Sequence, residues 1–186
     1  TQCLEQLLTL DVVSFGFICG DLYAELTAFF IDGKDMIYSV SVNGDNRPPF
    51  KNLNTGTFTN KGIEFETRYQ ICENLSMNLN YSYLHMSKPI PGAPGQKFYV
   101  GAVYKPGRFT LNVNVQSIFD LYTNEGCTEK EDFTTLNAKV AYRFGTRDKG
   151  LNLFVKGENL TAARYSINEG FPMPKAIFMG GIDVTF

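Results

Sequence analysis

The chain has 186 residues, which is enough for one domain with a sizeable core. Its formal net charge of −2 and its pI of about 5.4 show no basic footprint of the kind that nucleic-acid-binding proteins carry. Mean hydropathy is −0.14, and no run approaches the roughly 18 apolar residues that a membrane-spanning helix needs. Strands that alternate apolar and polar residues stay compatible with a membrane, because their hydropathy averages out.

The first part of the chain predicts two strands and a long loop. Residues 1–10 carry little signal, and a short helix fits them as well as a poor strand. A strand is predicted over residues 11–19, because apolar side chains alternate there with period two. Residues 22–42 are predicted as one long, bent strand, with a tight turn at Gly33 as the alternative. Residues 43–56 are polar, contain two prolines and predict a loop.

Seven further segments show the same alternation and bring the total to about nine strands. They are residues 57–71, 75–83, 98–104, 109–116, 136–144, 151–158 and 178–186. Many of these runs approach the roughly 9–11 residues that a strand needs to cross a bilayer, against about 5–6 in soluble proteins. Their polar faces are rich in Asn, Ser, Thr and Gln, which suits a hydrated lumen.

The connections between the strands alternate in length. Short connections fall near residues 20, 73, 106 and 147, and long ones near residues 50, 91, 126 and 168. Transmembrane barrels of the outer-membrane type have short periplasmic turns and longer external loops. The pattern therefore predicts an antiparallel up-and-down transmembrane β-barrel, with the C-terminus on the periplasmic side.

Aromatic residues on the apolar faces gather towards the strand ends, which predicts two girdles at the membrane interfaces. The girdle near the short turns contains Tyr69, Tyr104, Tyr142, Phe144 and Phe186, and the outer girdle contains Tyr81, Tyr83, Phe98 and Phe178.

Charged residues on one face of a strand need water or partners. Glu64, Glu66 and Arg68 share such a face, and we interpret them as lumen charges rather than as catalytic carboxylates. His85, the single histidine, is predicted to be a solvated residue beside a loop. Acidic residues at 120–132 could bind calcium, but their spacing is not that of an EF-hand and a solvated loop is favoured.

The four cysteines predict neither a zinc site nor a disulfide framework. Cys3, Cys19, Cys72 and Cys127 have no CxxC spacing. Cys19 and Cys72 fall near turns at the same end of the strands, so a pair between them is the alternative to incidental free thiols.

The C-terminal stretch carries a recognisable set of motifs. E-N-L stands at 158–160 and is followed by Tyr165, then by G-F-P-M-P at 170–174, and finally by a Phe, Gly-Gly and a terminal Phe. This combination resembles the C-terminus of TonB-dependent outer-membrane receptors, although Lys175 and Ala176 stand where the family usually has Gly-Arg or similar. The segments LYAELTAFFIDGKDMI and NKGIEFETRYQI are also similar to the family's long strand and the strand after it.

The resemblance implies a barrel of about twenty-two strands in the bacterial outer membrane, with an N-terminal plug in its lumen. It implies uptake of a scarce ligand (an iron chelate, haem, cobalamin or a glycan), driven by the TonB complex through an N-terminal box. It also implies that barrel-assembly machinery reads the last strand through Phe178, Ile182, Val184 and Phe186. Membrane lipid would surround the wall, and no enzymatic step, cofactor or metal is expected.

The extent of the chain leaves alternatives open. It starts at Thr1 without an initiator Met or a signal peptide, and about nine strands is an odd number where single-chain bacterial barrels have even numbers. We therefore expect residues 1–186 to be the C-terminal portion of a larger barrel, without its plug domain. The alternatives are a free-standing small outer-membrane barrel and a soluble lipocalin-like barrel with a dry cavity. An outer-membrane enzyme would require a Ser/His/Asp set, which His85 alone does not provide.

Overall fold

The computed structural model of the chain describes residues 8–34, 37–41, 50–54, 56–124, 126–145 and 150–185. Thirteen β-strands and no α-helix lie within these ranges. In the same ranges there is no helix that is long and apolar enough to cross a membrane.

Nine of the strands in the described ranges form one antiparallel, up-and-down sheet. In their order across the sheet they are β1 (Leu8–Cys19), β2 (Leu22–Lys34), β5 (Thr57–Cys72), β6 (Leu75–Met86), β7 (Pro94–Tyr104), β8 (Phe109–Tyr122), β9 (Lys130–Gly145), β10 (Gly150–Glu158) and β13 (Ile177–Thr185). The other four form two small antiparallel pairs, β3 (Ile37–Ser41) with β4 (Phe50–Asn54), and β11 (Ser166–Asn168) with β12 (Phe171–Pro172). The prediction of about nine strands in an up-and-down sheet is confirmed.

The prediction of a single strand over residues 22–42 is wrong. β2 ends at Lys34, opposite Thr57, and Ile37–Ser41 pairs with Phe50–Asn54 in a separate sheet. The alternative turn at Gly33 is also wrong, because Gly33 lies inside β2 with partners on both sides. The same pairing shows that the predicted loop 43–56 contains a strand.

The other long connections are shorter or more ordered than predicted. β8 continues to Tyr122 and β9 begins at Lys130, so that the predicted loop 120–132 shrinks to residues 123–129. The loop after β10 contains the β11–β12 pair. Part of the predicted turn at 145–150, as well as Phe186, lies outside the described residues.

The register keeps the apolar and polar faces separate across the whole sheet. Because residues directly opposite each other share a face, Leu26, Phe65, Tyr81 and Phe98 form one continuous row of the apolar face. The adjacent row of the polar face consists of Glu25, Glu66, Asn80, Tyr99, Gln116 and Thr135. The alternation predicted from the sequence thus becomes two chemically distinct surfaces.

The apolar face is the open one. Phe15 is 70% exposed and Val155 is 62% exposed, while Ile118 and Leu121 are the buried hydrophobic side chains in the described part. Cavities of about 820, 630 and 420 Å³ are lined mainly by the polar face. A soluble barrel would have the reverse arrangement, with the apolar side chains inside. The sheet is therefore part of a transmembrane barrel wall, and the lipocalin-like alternative does not fit it.

Three aromatic rings on the polar face lie over glycines of a neighbouring strand, and one of them is Phe58 over Gly33. Phe29 is directly opposite Gly62, and Phe154 is directly opposite Gly181. A Cβ atom at any of the three glycines would overlap the ring of its partner, and at Gly62 it would also overlap the Tyr83 carbonyl oxygen, so these positions require a residue without a side chain.

Candidate functional site

The predicted lumen charges lie on the polar face of β5. The Arg68 guanidinium and a Glu66 carboxylate oxygen are 2.5 Å apart, and their side chains are 71% and 38% exposed. Exposed pairs of this kind contribute no more than about 1 kcal/mol to stability. Glu64 and Glu66 also line the cavity of about 420 Å³, together with Glu25 of β2. Sequence reasoning missed Glu25, because only the register shows that it stands opposite Glu66.

The predicted girdle residues in the described part lie on the apolar face. They are Tyr69, Tyr81, Tyr83, Tyr104, Tyr142, Phe144, Phe98 and Phe178. The Tyr142 ring contacts Phe144 and also Phe109, which the prediction missed, with centroids 4.6 and 4.8 Å apart. The Tyr81 hydroxyl donates to the side-chain oxygen of Gln96 on the neighbouring strand β7 at 3.0 Å. An anchoring role at the membrane interface remains a prediction for all of them.

The predicted assembly signal lies on the last strand. Phe178, Ile182 and Val184 are exposed on the apolar face of β13, and Phe178 is directly opposite Gly157. Phe186, the fourth member, is outside the described residues.

Three long connections at one end of the sheet contact each other. They are residues 87–93, residues 123–124 with 126–129, and residues 159–176, and we call them the linked loop surface. The Gly92 amide donates to the Tyr122 carbonyl at 2.9 Å, and the Cys127 thiol donates to the Pro89 carbonyl at 3.3 Å. These bonds join the first loop to the second.

A backbone bond joins the third loop to the second, and a ring contact joins it to β9. The Glu169 amide donates to the Thr123 carbonyl at 2.9 Å. The Tyr165 ring stacks on Phe133 of β9, with centroids 3.8 Å apart and an interplanar angle of 13°. Burial and the nearby Glu158 carboxylate raise the pKa of the Tyr165 hydroxyl, which keeps it neutral beside the ring. The three loops therefore form one surface rather than three separate flaps.

Acidic residues beside this surface are engaged in internal contacts. The Asp120 carboxylate pairs with the Lys130 ammonium at 2.8 Å, and the Asp132 carboxylate accepts the Asp120 amide at 2.8 Å. A Glu131 carboxylate oxygen accepts the Ser166 amide. Across the described ranges, no group of three or more His, Cys, Asp or Glu side chains could hold a metal ion. These carboxylates therefore brace the loops against β9.

Asn159 is the hub of the third loop. Its side chain is buried, with 4% of the residue exposed, and its φ is +49°. The amide nitrogen donates to the Ala163 carbonyl at 2.9 Å and to the Pro174 carbonyl at 3.1 Å. The amide oxygen accepts from the Ala163 amide at 3.0 Å and from the Thr161 hydroxyl at 3.1 Å. One side chain thus ties the start of this loop to the approach to β13.

The Asn159 hub continues into the polar face as a short ladder of asparagines. The Asn159 backbone amide donates to the Asn137 side-chain oxygen at 2.9 Å, and the Asn137 amide nitrogen donates to Asn114 at 2.8 Å. The sequence showed this asparagine only as part of a family motif. A usable signal was present, since Asn tolerates a left-handed backbone and both donates and accepts hydrogen bonds.

Cys127 should react slowly with alkylating reagents. Burial raises the pKa of its thiol, so that less of the nucleophilic thiolate is present at a given pH. Cys19 and Cys72 are exposed free thiols, in line with the favoured interpretation of the sequence. Mass-spectrometric rates of iodoacetamide labelling at about pH 8, near an ordinary thiol pKa, should be slower for Cys127 than for Cys72. Equal rates would show that the linked loop surface opens freely.

The exposed apolar face, the polar cavities and the linked loops define a wall segment of a bacterial outer-membrane barrel. A family model described as TonB dependent receptor-like, beta-barrel, matches residues 9–160. The chain therefore belongs to the family of TonB-dependent receptors, and the resemblance noted in the sequence is confirmed.

Solved structures agree with this fold. The copper transporter OprC has a TM-score of 0.81 at 17% identity, with 97% of this chain and 32% of that chain covered. The ferric citrate transporter FecA has a TM-score of 0.68 at 22% identity, with 94% of this chain and 31% of that chain covered. The siderophore receptor PirA from Acinetobacter baumannii has a TM-score of 0.72 at 16% identity, with 97% of this chain and 32% of that chain covered. The chain spans about a third of the length of each of these proteins.

Proposed function

We propose that this chain is the C-terminal wall of an outer-membrane receptor that takes up a scarce ligand with energy delivered through TonB. The observation that supports this best is the pairing of a linked loop surface at one end with a polar, cavity-lined face along the sheet. The linked loop surface offers a place where the ligand is captured, and the polar face offers a hydrated route for it. Membership of the receptor family supports the same interpretation.

Uptake of this kind has no chemical step, so the protein would not be an enzyme. The linked loop surface would hold the ligand, and the polar face would line its route once a plug moves. Glu64, Glu66 and Arg68 would then face that plug, since they lie on the same polar face. The aromatic girdles would anchor the wall in lipid, and the exposed apolar face of β13 would be read during barrel assembly.

The ligand is proposed to be a metal chelate or a compound handled in the same way. The structural relatives are named as a copper transporter, a ferric citrate transporter and a siderophore receptor, which favours iron chelates. Haem, cobalamin and glycans remain candidates from the same class of receptors.

Deletion of the full-length gene should abolish growth on one such ligand supplied as the limiting nutrient. The full-length gene should restore growth in a strain with a working TonB complex and fail to restore it in a strain without one, because ligand release from the plug requires that energy. Uptake of radiolabelled ligand by whole cells measures the effect directly. Normal growth of the deletion strain on every ligand tested, or uptake that persists without TonB, would overturn the proposal.

A further inference from the structure

The largest of the three cavities described above lies at the short-turn end of the polar face, opposite the linked loop surface. Its volume is about 820 Å³. Four cationic side chains line it, and we call it the inner basic cavity. They are Lys105 and Arg108 of the turn between β7 and β8, and Lys139 and Arg143 of β9. Glu73 and Asp183 are its acidic lining residues.

None of the four cations has a carboxylate within 4.0 Å among the described residues. The ion pairs in that part of the chain join Arg68 to Glu66, Lys130 to Asp120 and Lys156 to Glu158. Among the described lining residues, four cations against two carboxylates give the inner basic cavity an excess of two positive charges. A concave site lined by one sign of charge concentrates ions of the other sign.

Two of the cations are held in place by neighbours. The Arg143 guanidinium donates through Nε to the Asn152 side-chain oxygen at 3.3 Å. The Lys139 ammonium stands 4.0 Å from the centroid of the Phe154 ring. Both side chains are half-buried and held by these contacts. They would therefore lose little conformational freedom when an anion binds.

Two lysines that stand opposite each other on β9 and β10 also favour a bound anion. Lys139 is directly opposite Lys156 on β10, and like charges in that position destabilise a sheet. Lys156 is compensated by Glu158 at 2.5 Å, whereas the described residues offer Lys139 no carboxylate partner. An anion bound near Lys139 would offset this repulsion.

We propose that the inner basic cavity is a subsite for a small polyanion with carboxylate or phosphate groups. Its volume falls in the range of about 300–1,000 Å³ that is usual for small-molecule sites. It lies on the polar face rather than the apolar one, which favours a soluble anion over a lipid headgroup. An anionic ligand would meet this cavity at the inner end of its route. The role of the cavity in transport therefore rests on the proposed function.

The test uses the full-length receptor in detergent, with citrate and inorganic pyrophosphate as probes in isothermal titration calorimetry. Both cations are removed in the variant Lys139→Gln/Arg143→Gln, which should bind the probes at least about tenfold more weakly, since two charge-assisted hydrogen bonds to the anion are lost. Lys97→Gln is the matched control, because Lys97 lies on the same polar face but outside this cavity, and its affinity should equal that of the wild type. Lys139→Arg/Arg143→Lys keeps both charges, and it should bind much better than the neutral variant if charge is what matters.

Several results would overturn the inference. The first is no binding of either probe to the wild type, and the second is equal affinity in the neutral variant. Binding of anionic phospholipid vesicles without binding of soluble probes would assign the cavity to lipid. A photocrosslinker placed at Lys105 that captures an acidic segment of the resting receptor would assign it to polypeptide.

The inference and the proposed function can fail separately. Probe binding that depends on Lys139 and Arg143, in a receptor that supports no TonB-dependent uptake, contradicts the proposed function alone. TonB-dependent uptake by a receptor that binds neither probe contradicts the subsite alone.

Discussion

Val113→Arg is expected to lower the free energy of unfolding in lipid by about 2–4 kcal/mol, the cost of a cation at the middle of a barrel's lipid face. Val113 lies in the centre of β8 on the apolar face, between Ala102 and Ala138, and it is 42% exposed. No carboxylate lies directly opposite it on either neighbouring strand. An arginine there would have to reach the interface or remain poorly solvated among lipid chains.

A residue on the other face of the same strand provides a matched control. Gln116 lies on the polar face of β8 and lines the cavity that contains Glu25, Glu64 and Glu66, where Gln116→Arg would be solvated. Urea unfolding of the full-length receptor in vesicles, followed by the gel-mobility difference between folded and unfolded barrel, compares the two variants. A loss confined to Val113→Arg is the expected result. Equal losses would mean that the two faces of the sheet have been assigned wrongly.

Asn159→Ala should destabilise the third loop by roughly 2–4 kcal/mol, because it leaves several buried partners without a hydrogen bond at once. The carbonyls of Ala163 and Pro174 would lose their donor, and the Ala163 amide would lose its acceptor. Limited proteolysis of the full-length receptor should then cut within residues 159–176 faster than in the wild type.

The backbone conformation at this position can be separated from the hydrogen bonds. Asn159→Gly keeps the positive φ of +49° without strain, so that the loss shared with Asn159→Ala measures the side-chain network. Asn168→Ala in the same loop removes an exposed side chain and should leave the cleavage rate unchanged. If Asn159→Ala behaves like Asn168→Ala, the Asn159 hub does not hold the loop.

The strands and their faces could be predicted from the sequence because a two-residue period is a local property. Leu75, Met77, Leu79 and Tyr81 reveal their common face without any knowledge of the neighbouring strand. This local period also caused the wrong prediction of a single strand over residues 22–42. The alternation of apolar and polar residues continues from β2 into β3 and does not show that the pairing strand changes from β5 to β4 after Lys34.

The candidate sites could be predicted only where their residues are neighbours in sequence. Glu64, Glu66 and Arg68 lie within five residues and were found, whereas Glu25 was not, because it joins them through the register. The inner basic cavity gathers its lining from β8, β9, β10, β13 and two turns, and no local pattern connects them.

The aromatic rings over Gly62 and Gly181 affect how far side chains project from the polar face into the barrel lumen. In a wall built on the pleat, every second side chain projects inwards and narrows the bore. Phe29 and Phe154 instead lie along the wall, because the glycines opposite them leave room for the rings. A side chain at Gly181 would tip the Phe154 ring inwards and disturb the surface on which Lys139 rests, whereas one at Gly62 would meet the Tyr83 carbonyl oxygen as well as the Phe29 ring. For the proposed uptake, these glycines would thereby help to set how large a ligand can pass.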